Sequence, residues 1–440
     1  MLLDFVHLEK NSGNAMYLQL YSEIKAAAVK EIIKPGERLP SIREAAAQLG
    51  VSRTTAESAY LKLCIEGLAE SSPQRGYFIC AVPSAPSPAS KPKGKDKKIL
   101  YDFSARNIDP AAADIDLWKR MVRGVLRDTG ELTSYGDPQG EEPLRRALAA
   151  YSYKARGVVC RPENIVTGAG VGPLLNILCG LIGRDITVGF EFGGFPVAEQ
   201  IFEDYGIRTV PLDCDKSGAL PSALKKSGAD ILMLMPSALS KISVAGLARR
   251  RAVFAEWAEN GGLIIEDDYN GELRYTARSV PAFQGKSPDR TVYIGSFSKL
   301  LLPSVRIAYM VLPDSLLEKF TRKKNYYNQT CGKTEQSALR AYIESGALEK
   351  HLRKLRKLYY AKSRSFLKAV GEVFPEAEVT LYESSLTAGI CLPGNPDFGK
   401  SAEACGIRPA GFSEDELRLS FAGINEEDFL PALKLLKNNL

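Results

Sequence analysis

SFSKLLLPSVRIAYMV, residues Ser296 to Val311, is the stretch that decides how this 440-residue chain folds. A short β-type run, Thr291 to Ile294, comes just before it. Lys299 is therefore expected just beyond the carboxyl end of a strand, where open α/β sheets place their ligands. Ser296 and Ser298 bring two hydroxyls to the lysine, and Arg306 follows a proline turn. An amine, hydroxyls and a guanidinium suit a phosphorylated aldehyde: the amine condenses with the carbonyl while the other groups hold the phosphate. Most lysines are solvated surface charges, and the stretch alone leaves that reading open.

Working outward, six more β-type runs alternate with amphipathic helical stretches: Ile165–Thr167, Thr187–Phe190, Thr209–Leu212, Ile231–Met235, Leu263–Glu266 and Ile307–Val311. Such alternation predicts an α/β sandwich around a mainly parallel sheet. Thr167-Gly168-Ala169-Gly170 follows the first run and opens a helix expected over Pro173–Leu181. Small residues there let main-chain N–H groups and the helix dipole approach a phosphate. Gly168-x-Gly170-x-Gly172 also fits part of a dinucleotide fingerprint, but no acid follows the second run, which ends Val188-Gly189-Phe190. In IIEDDYNGELRY, Glu266, Asp267, Asp268 and Tyr269 come directly after an apolar strand. A carboxylate buried there must find a partner or change protonation, and a pyridinium N–H is one such partner. An exposed acidic turn or a metal site are the alternatives. Metal is disfavoured, because Mg²⁺ also recruits substrate phosphates and no such motif is present. Phe195, in EFGGFPVAEQ, has the shape to stack on a flat ring, or it belongs to the core. Amine, acid, arginine and glycine turn together make the set that pyridoxal 5′-phosphate needs, with the lysine forming a Schiff base and the acid keeping the pyridine nitrogen protonated.

Composition bounds the rest. With 45% apolar and 25% charged residues, the chain reads as a globular protein of two or three domains. Eight cysteines lack CxxC spacing, so reduced thiols in the cytoplasm are expected. Only two histidines are present, which argues against a histidine-built metal site or a histidine general base. No apolar run approaches ~18 residues, and no signal-peptide core opens the chain. The net charge of +6 weakly favours a polyanionic partner.

The amino-terminal segment, 1–82, has a separate character. Tyr17 to Ile33 reads as a helix with Tyr17, Leu20, Ile24 and Ala27 on one face, ended by Pro35-Gly36. In LPSIREAAAQLGVSRTTAESAYLKLCIEGL, Ser41 and Glu44 form a capping box, Gly50 supplies a left-handed stop and Ser52 caps a second helix. Two short helices joined by a tight glycine turn, the second opening with Arg53, Thr54 and Thr55, have helix-turn-helix geometry. GLAESSPQRGYFIC then reads as a two-stranded wing. The segment carries nine Lys/Arg and nine Asp/Glu, so affinity for DNA would rest on where charges sit and on having two copies. Residues 83–98, PSAPSPASKPKGKDKK, cannot bury enough apolar surface to fold and read as a tether.

The P-G-x-x-L-P-S sequence around Pro35–Ser41, Arg43, LGVSRTT and the E-G-L…G-Y-F ending resemble the winged helix-turn-helix domain of GntR-type bacterial regulators. That resemblance implies double-stranded DNA as partner, with Arg38, Arg43, Ser52, Arg53, Thr54, Thr55 and the wing at Gly76 toward it. Residues 99–440 resemble fold-type I aminotransferases through YGDPQG, the glycine turn with a PEN sequence before it, EDDY, SFSK with Arg306, and LRLSFAGINEEDF. This resemblance implies Lys299 as the Schiff-base lysine, Asp267 opposite the ring nitrogen and Tyr269 near the ring oxygen. Ser296, Ser298, Arg306 and the amides of Ala169 and Gly170 would surround the phosphate. Tyr135 would reach the phosphate of a partner subunit, and Arg418 would take a substrate or effector carboxylate.

A GntR-type reader before an aminotransferase-like domain is similar to the MocR subfamily of transcriptional regulators. The resemblance implies a head-to-tail homodimer that uses pyridoxal phosphate to sense an amino compound or the cofactor itself. A working aminotransferase with an accessory DNA-binding domain is the alternative. Three departures bear on turnover. PSALSKISVAGLARR (Pro236–Arg250) replaces a PSHQFPTG-like loop, TGAGVG replaces TSGAQ, and LTAGICL replaces HAGLHL.

Overall fold

The computed structural model describes residues 3–9, 13–81, 98–127, 130–191, 196–215, 218–236, 244–276, 280–328, 330–395 and 397–440. Phe195, most of the 83–98 tether and the centre of the Pro236–Arg250 loop fall outside them. The chain separates into two compact units, Met1–Asp96 and Lys97–Leu440.

In the first unit, helix α1 (Met16–Val29) buries Leu20, Ile24, Ala27 and Ala28. It stops four residues before the expected Ile33. Glu31 adopts a left-handed φ of 56°, and the N–H groups of Ile32 and Ile33 both turn back onto the Ala27 carbonyl. This reversal seats Ile33 in the core at 0% exposure, whereas Tyr17, expected on the buried face, is 36% exposed. Helix α2 (Ile42–Leu49) starts at the predicted capping box: Glu44 N–H donates to Ser41 Oγ at 3.2 Å and Ser41 N–H to Glu44 Oε2 at 2.8 Å. Gly50 closes it in the left-handed conformation at φ 63°, free of Cβ strain. Helix α3 (Arg53–Ile65) is capped by Ser52, whose Oγ accepts from Thr55 N–H at 3.0 Å. Strands β1 (Ala69–Ser72) and β2 (Gly76–Ile79) pair antiparallel as the wing. Because the box holds two otherwise orphaned donors, Ser41→Ala is expected to destabilise this unit by about 1 kcal/mol. The denaturant midpoint of the full chain's amino-terminal transition measures it, and an unmoved midpoint would mean the box is idle.

The second unit is built on a seven-stranded sheet. Its strands are β3 (Ile165–Gly168), β4 (Thr187–Glu191), β5 (Arg208–Leu212), β6 (Ile231–Leu234), β7 (Leu263–Asp267), β8 (Thr291–Ser296) and β9 (Ala308–Val311), in the order β3-β9-β8-β7-β6-β4-β5. β9 runs antiparallel to both neighbours and every other pairing is parallel. All seven predicted runs take part. Strands β4, β6, β7 and β8 are almost wholly buried, as a parallel sheet covered on both faces requires. Helices Glu142–Arg156, Val171–Ile182 and Asp314–Lys323 bury apolar residues of their own. A four-stranded antiparallel sheet of Glu378–Tyr382, Thr387–Cys391, Leu417–Ser420 and Gly411–Phe412 was not anticipated from sequence. The 27-residue helix Ala347–Val373 precedes it. The entry strand Tyr101–Asp102 pairs with Ile407–Arg408, and Phe103, fully buried, packs among Phe366 and Phe429.

Candidate functional site

Three successive acids leave the carboxyl end of β7, and their partners separate their roles. Glu266 accepts the main-chain N–H groups of Phe283 at 2.7 Å and Gln284 at 2.9 Å. Burial, and then the neighbouring Asp268 charge, push its carboxyl up to about 7. Asp268 takes Arg156 through Nε at 2.5 Å and Nη2 at 3.0 Å, and the Tyr293 hydroxyl at 2.8 Å. Asp267 is 3% exposed, and its Oδ1 has no hydrogen-bond partner among the described residues. Burial first, and then the charges of Asp268 and Glu266, raise its carboxyl to about 7. A buried carboxylate oxygen without a donor is costly, so this atom fits a ligand that brings an N–H. Tyr269, half-buried next in sequence, has its hydroxyl pushed up to about 12 by burial and also feels the charges of Asp267 and Arg306.

The next strand supplies the amine. Lys299 lies three residues past the end of β8 at 5% exposure, and its Nζ donates to the carbonyls of Ala105 at 2.5 Å and Asn107 at 3.0 Å. Burial draws its pKa down to about 8. About a tenth of the population is then a neutral, nucleophilic amine at pH 7, some hundreds of times more than for an ordinary lysine.

Beside it lies an anion cradle. Ser296 Oγ donates to Ser298 Oγ at 3.3 Å, and Arg306 Nη1 donates to Ser298 Oγ at 3.2 Å. The Arg306 guanidinium passes over Gly170, where a Cβ would sit 2.6 Å from Nη2; at φ 100° the position already favours glycine. The helix Val171–Ile182 opens there, two residues earlier than predicted, and no side chain among the described residues caps it. Its first-turn N–H groups and the guanidinium together suit a phosphate. The amides singled out from the sequence are engaged within the chain: Ala169 N–H meets Thr330 Oγ1 at 3.1 Å and Gly170 N–H meets the Gly168 carbonyl at 2.8 Å. A phosphate at this turn would replace the exposed Thr330 hydroxyl at Ala169.

Among the described residues, neither Tyr135 nor Arg418 makes a hydrogen bond to Asp267, Lys299 or the cradle. Tyr135 is fully exposed on its own chain. Arg418 is not an open guanidinium: its Nε donates to Glu416 Oε2 at 2.5 Å, and its guanidinium lies 4.8 Å from the Tyr382 ring centre. Tyr382 donates its hydroxyl to the other Glu416 oxygen at 2.8 Å. Glu416 precedes Arg418 by two residues, so a strand puts both side chains on one face. That spacing was the available signal. The Ala105 and Asn107 carbonyls gave no sequence signal, since every residue carries one.

In the amino-terminal unit Arg38, Arg43, Ser52, Arg53 and Thr54 are exposed. Thr55 is half-buried, and its hydroxyl is tied to Ser52 Oγ at 2.8 Å. Ser52 and Thr55 thus serve the helix cap, and Arg53 and Thr54 are the open side chains of that first turn. A Cβ at Gly76 would meet Arg38 Nε at 3.2 Å, so the wing lies against Arg38. Among the described residues no three His, Cys, Asp or Glu side chains group as metal ligands, and no helix is long and apolar enough to cross a membrane.

The two units define a class: a winged helix-turn-helix reader joined to a domain of the fold-type I aminotransferase architecture. Comparison with known proteins agrees. The profile of bacterial regulatory proteins of the gntR family matches residues 16–79, and that of aminotransferase class I and II matches residues 101–434. The HTH-type transcriptional regulator YdeL of Bacillus subtilis is 35% identical, covering 96% of each chain. The HTH-type pyridoxine biosynthesis transcriptional regulator PdxR of Corynebacterium glutamicum is 29% identical, over 82% of this chain and 80% of that one. The probable rhizopine catabolism regulatory protein MocR of Rhizobium meliloti is 28% identical, over 82% and 78%. Among solved structures, Pyrococcus horikoshii kynurenine aminotransferase superposes with a TM-score of 0.68 at 21% identity, covering 78% of this chain and 91% of that one. The chain belongs to the MocR-type subfamily of GntR transcriptional regulators.

Proposed function

We propose that this protein is a DNA-binding regulator that holds pyridoxal 5′-phosphate at Lys299 and responds to an amino compound or to the cofactor itself. The observation that carries the reading is the orphaned, buried Asp267 Oδ1 in the same site as a buried amine of lowered pKa and an arginine–serine cradle. These residues fit the cofactor part by part. Asp267 would hold the ring nitrogen, Tyr269 would lie near the ring oxygen, and Ser296, Ser298, Arg306 and the first turn of Val171–Ile182 would hold the phosphate. When bound, the cofactor supplies an aldehyde and an electron sink. The chain supplies a polar site, buried at Asp267 and Lys299 and open at Arg306, in which Lys299 is partly neutral. An effector carboxylate at Arg418 must share the guanidinium with Glu416 or displace it.

The exposed Arg38, Arg43, Arg53 and Thr54 form the DNA-facing set, with Ser52 and Thr55 holding the helix that presents Arg53. Near-zero charge in this segment makes two copies necessary for useful affinity, and the fully exposed Tyr135 suits a role at a partner subunit's phosphate in a head-to-tail homodimer. Ligand binding changes operator affinity only through unequal affinity for two arrangements of the dimer.

Arg53→Ala is expected to weaken specific DNA binding by about 1–3 kcal/mol, read as operator affinity at fixed salt. Unchanged affinity would remove Arg53 from the interface. For the whole reading, the full chain is loaded with pyridoxal 5′-phosphate and titrated with amino compounds. Spectral change that stops after one equivalent and alters operator affinity is the expected result. Sustained keto-acid production with unaltered operator affinity would overturn it in favour of an enzyme.

A further inference from the structure

We propose that the segment Ala105–Asn107 is a strap latched by Lys299, and that covalent chemistry at this lysine unlatches it. The inference rests on the proposed function and concerns how the site's state reaches the rest of the chain. The strap is pinned firmly on both sides. Before it, Phe103 is fully buried, its carbonyl accepts Ser420 N–H at 2.8 Å, and its N–H donates to the Arg408 carbonyl at 2.9 Å. After it, Asp109 pairs with Lys362, a lysine only 2% exposed that also donates to the Ala422 carbonyl at 3.0 Å. Between these pins Ser104 N–H donates locally to Asp102 Oδ1 at 2.9 Å and residues 105–106 form a turn. Among the described residues, the two bonds from Lys299 Nζ to the Ala105 and Asn107 carbonyls are the hydrogen bonds that reach the strap from a distant part of the chain. Arg106, at its centre, is exposed.

The chemistry at Nζ determines whether both bonds survive. An amine has enough N–H donors for two carbonyls. Condensation with an aldehyde forms a C=N bond, and the carbonyl oxygen leaves as water with both amine hydrogens. The nitrogen regains at most one proton from solvent. One N–H in the plane of a C=N bond gives a well-aligned bond to one carbonyl only, so the hold on at least one of the two carbonyls is lost or weakened to a shared contact. A ligand amine that later displaces Lys299 returns it as a free amine able to restore both bonds. The strap therefore reads the covalent state of Lys299. By chain connectivity it is also the stretch through which the aminotransferase-like unit continues from the 83–98 tether and the reader. Gly423 adapts the fold to the latched position: a Cβ there would lie 2.5 Å from Asn107 Cβ.

Limited trypsin digestion of the full chain tests this, scored by mass for cleavage between Arg106 and Asn107. Loading the wild type with pyridoxal 5′-phosphate is expected to raise that cleavage rate at least ~10-fold. Lys299→Met is expected to raise it equally without the cofactor. Gly423→Ala crowds the strap without touching the lysine and should raise it while keeping the absorption band near ~420 nm. A band that forms while cleavage stays unchanged in the loaded wild type and in Gly423→Ala overturns the latch and leaves the proposed function standing. If no band forms, the proposed function fails. The latch is then decided by the unloaded Lys299→Met and Gly423→Ala chains, where unchanged cleavage overturns it and faster cleavage supports it.

Discussion

The Lys299→Ala chain is expected to show no absorption band near ~420 nm after incubation with pyridoxal 5′-phosphate, whereas the wild type shows one. The loss should be complete, because the band depends on this one nucleophile, buried to 5% exposure between two carbonyls. In the wild type, the rate of band formation should rise roughly tenfold per pH unit from about 6 and level off near 8, following the neutral fraction of an amine whose pKa burial has lowered to about 8. A band retained in Lys299→Ala, or a profile still rising at pH 10, would sink the assignment. The same shift has a consequence for stability. The folded amine has the lower pKa, so between about 8 and 10.5 the unfolded state binds more protons and stability rises with pH. The penalty of burying the charge is full below pH 8 and gone above 10.5. Lys299→Met should therefore be more stable than the unloaded wild type at pH 7, with the gap closing as the pH rises.

Arg156→Met is expected to destabilise the second unit by about 3–5 kcal/mol, enough to abolish most of its margin. Arg156 and Asp268 are buried to 4% and 1% side-chain exposure. Two bonds from the guanidinium and one from the Tyr293 hydroxyl hold the carboxylate. Removing the arginine leaves the buried carboxylate with the Tyr293 hydroxyl as its one remaining side-chain hydrogen bond among the described residues. Gly271 makes room for the pair, since a Cβ there would collide with Asp268 and crowd Arg156. Adding Asp268→Asn to Arg156→Met should recover much of the loss, because it removes the stranded charge. Urea denaturation gives both numbers. A single-variant loss below about 1 kcal/mol, or no recovery in the double variant, would show that the pair contributes little.

Much of this protein was legible in its sequence because the relevant signals are local. The Ser41–Glu44 box, the Gly50 stop and the Ser52 cap are each written within four residues, and the helices begin and end as they predict. The β-type runs are short apolar stretches with clear breaks, and all seven joined one sheet. Local pattern misleads where distant packing overrides it. Helix α1 ends early because Ile33 is drawn back into the core. The antiparallel sheet after Val373 carries no comparable local signal, its strands pairing across turns and loops.

The sequence by itself determined the two-part architecture and the chemical types at the site: an amine after one strand, acids after another, and an arginine by a glycine turn. Capping, periodicity and strand-end position act over a few residues, so they are written in the sequence itself. Only the tertiary structure decided which of two adjacent aspartates is fully paired and which keeps one buried oxygen without a hydrogen-bond partner among the described residues. It also put Glu416 on Arg418, and brought the Ala105 and Asn107 carbonyls to a lysine 194 and 192 residues away in sequence. Burial and hydrogen-bond pairing depend on what the folded chain brings into contact, and a main-chain carbonyl is the same on every residue until the fold gives it a partner.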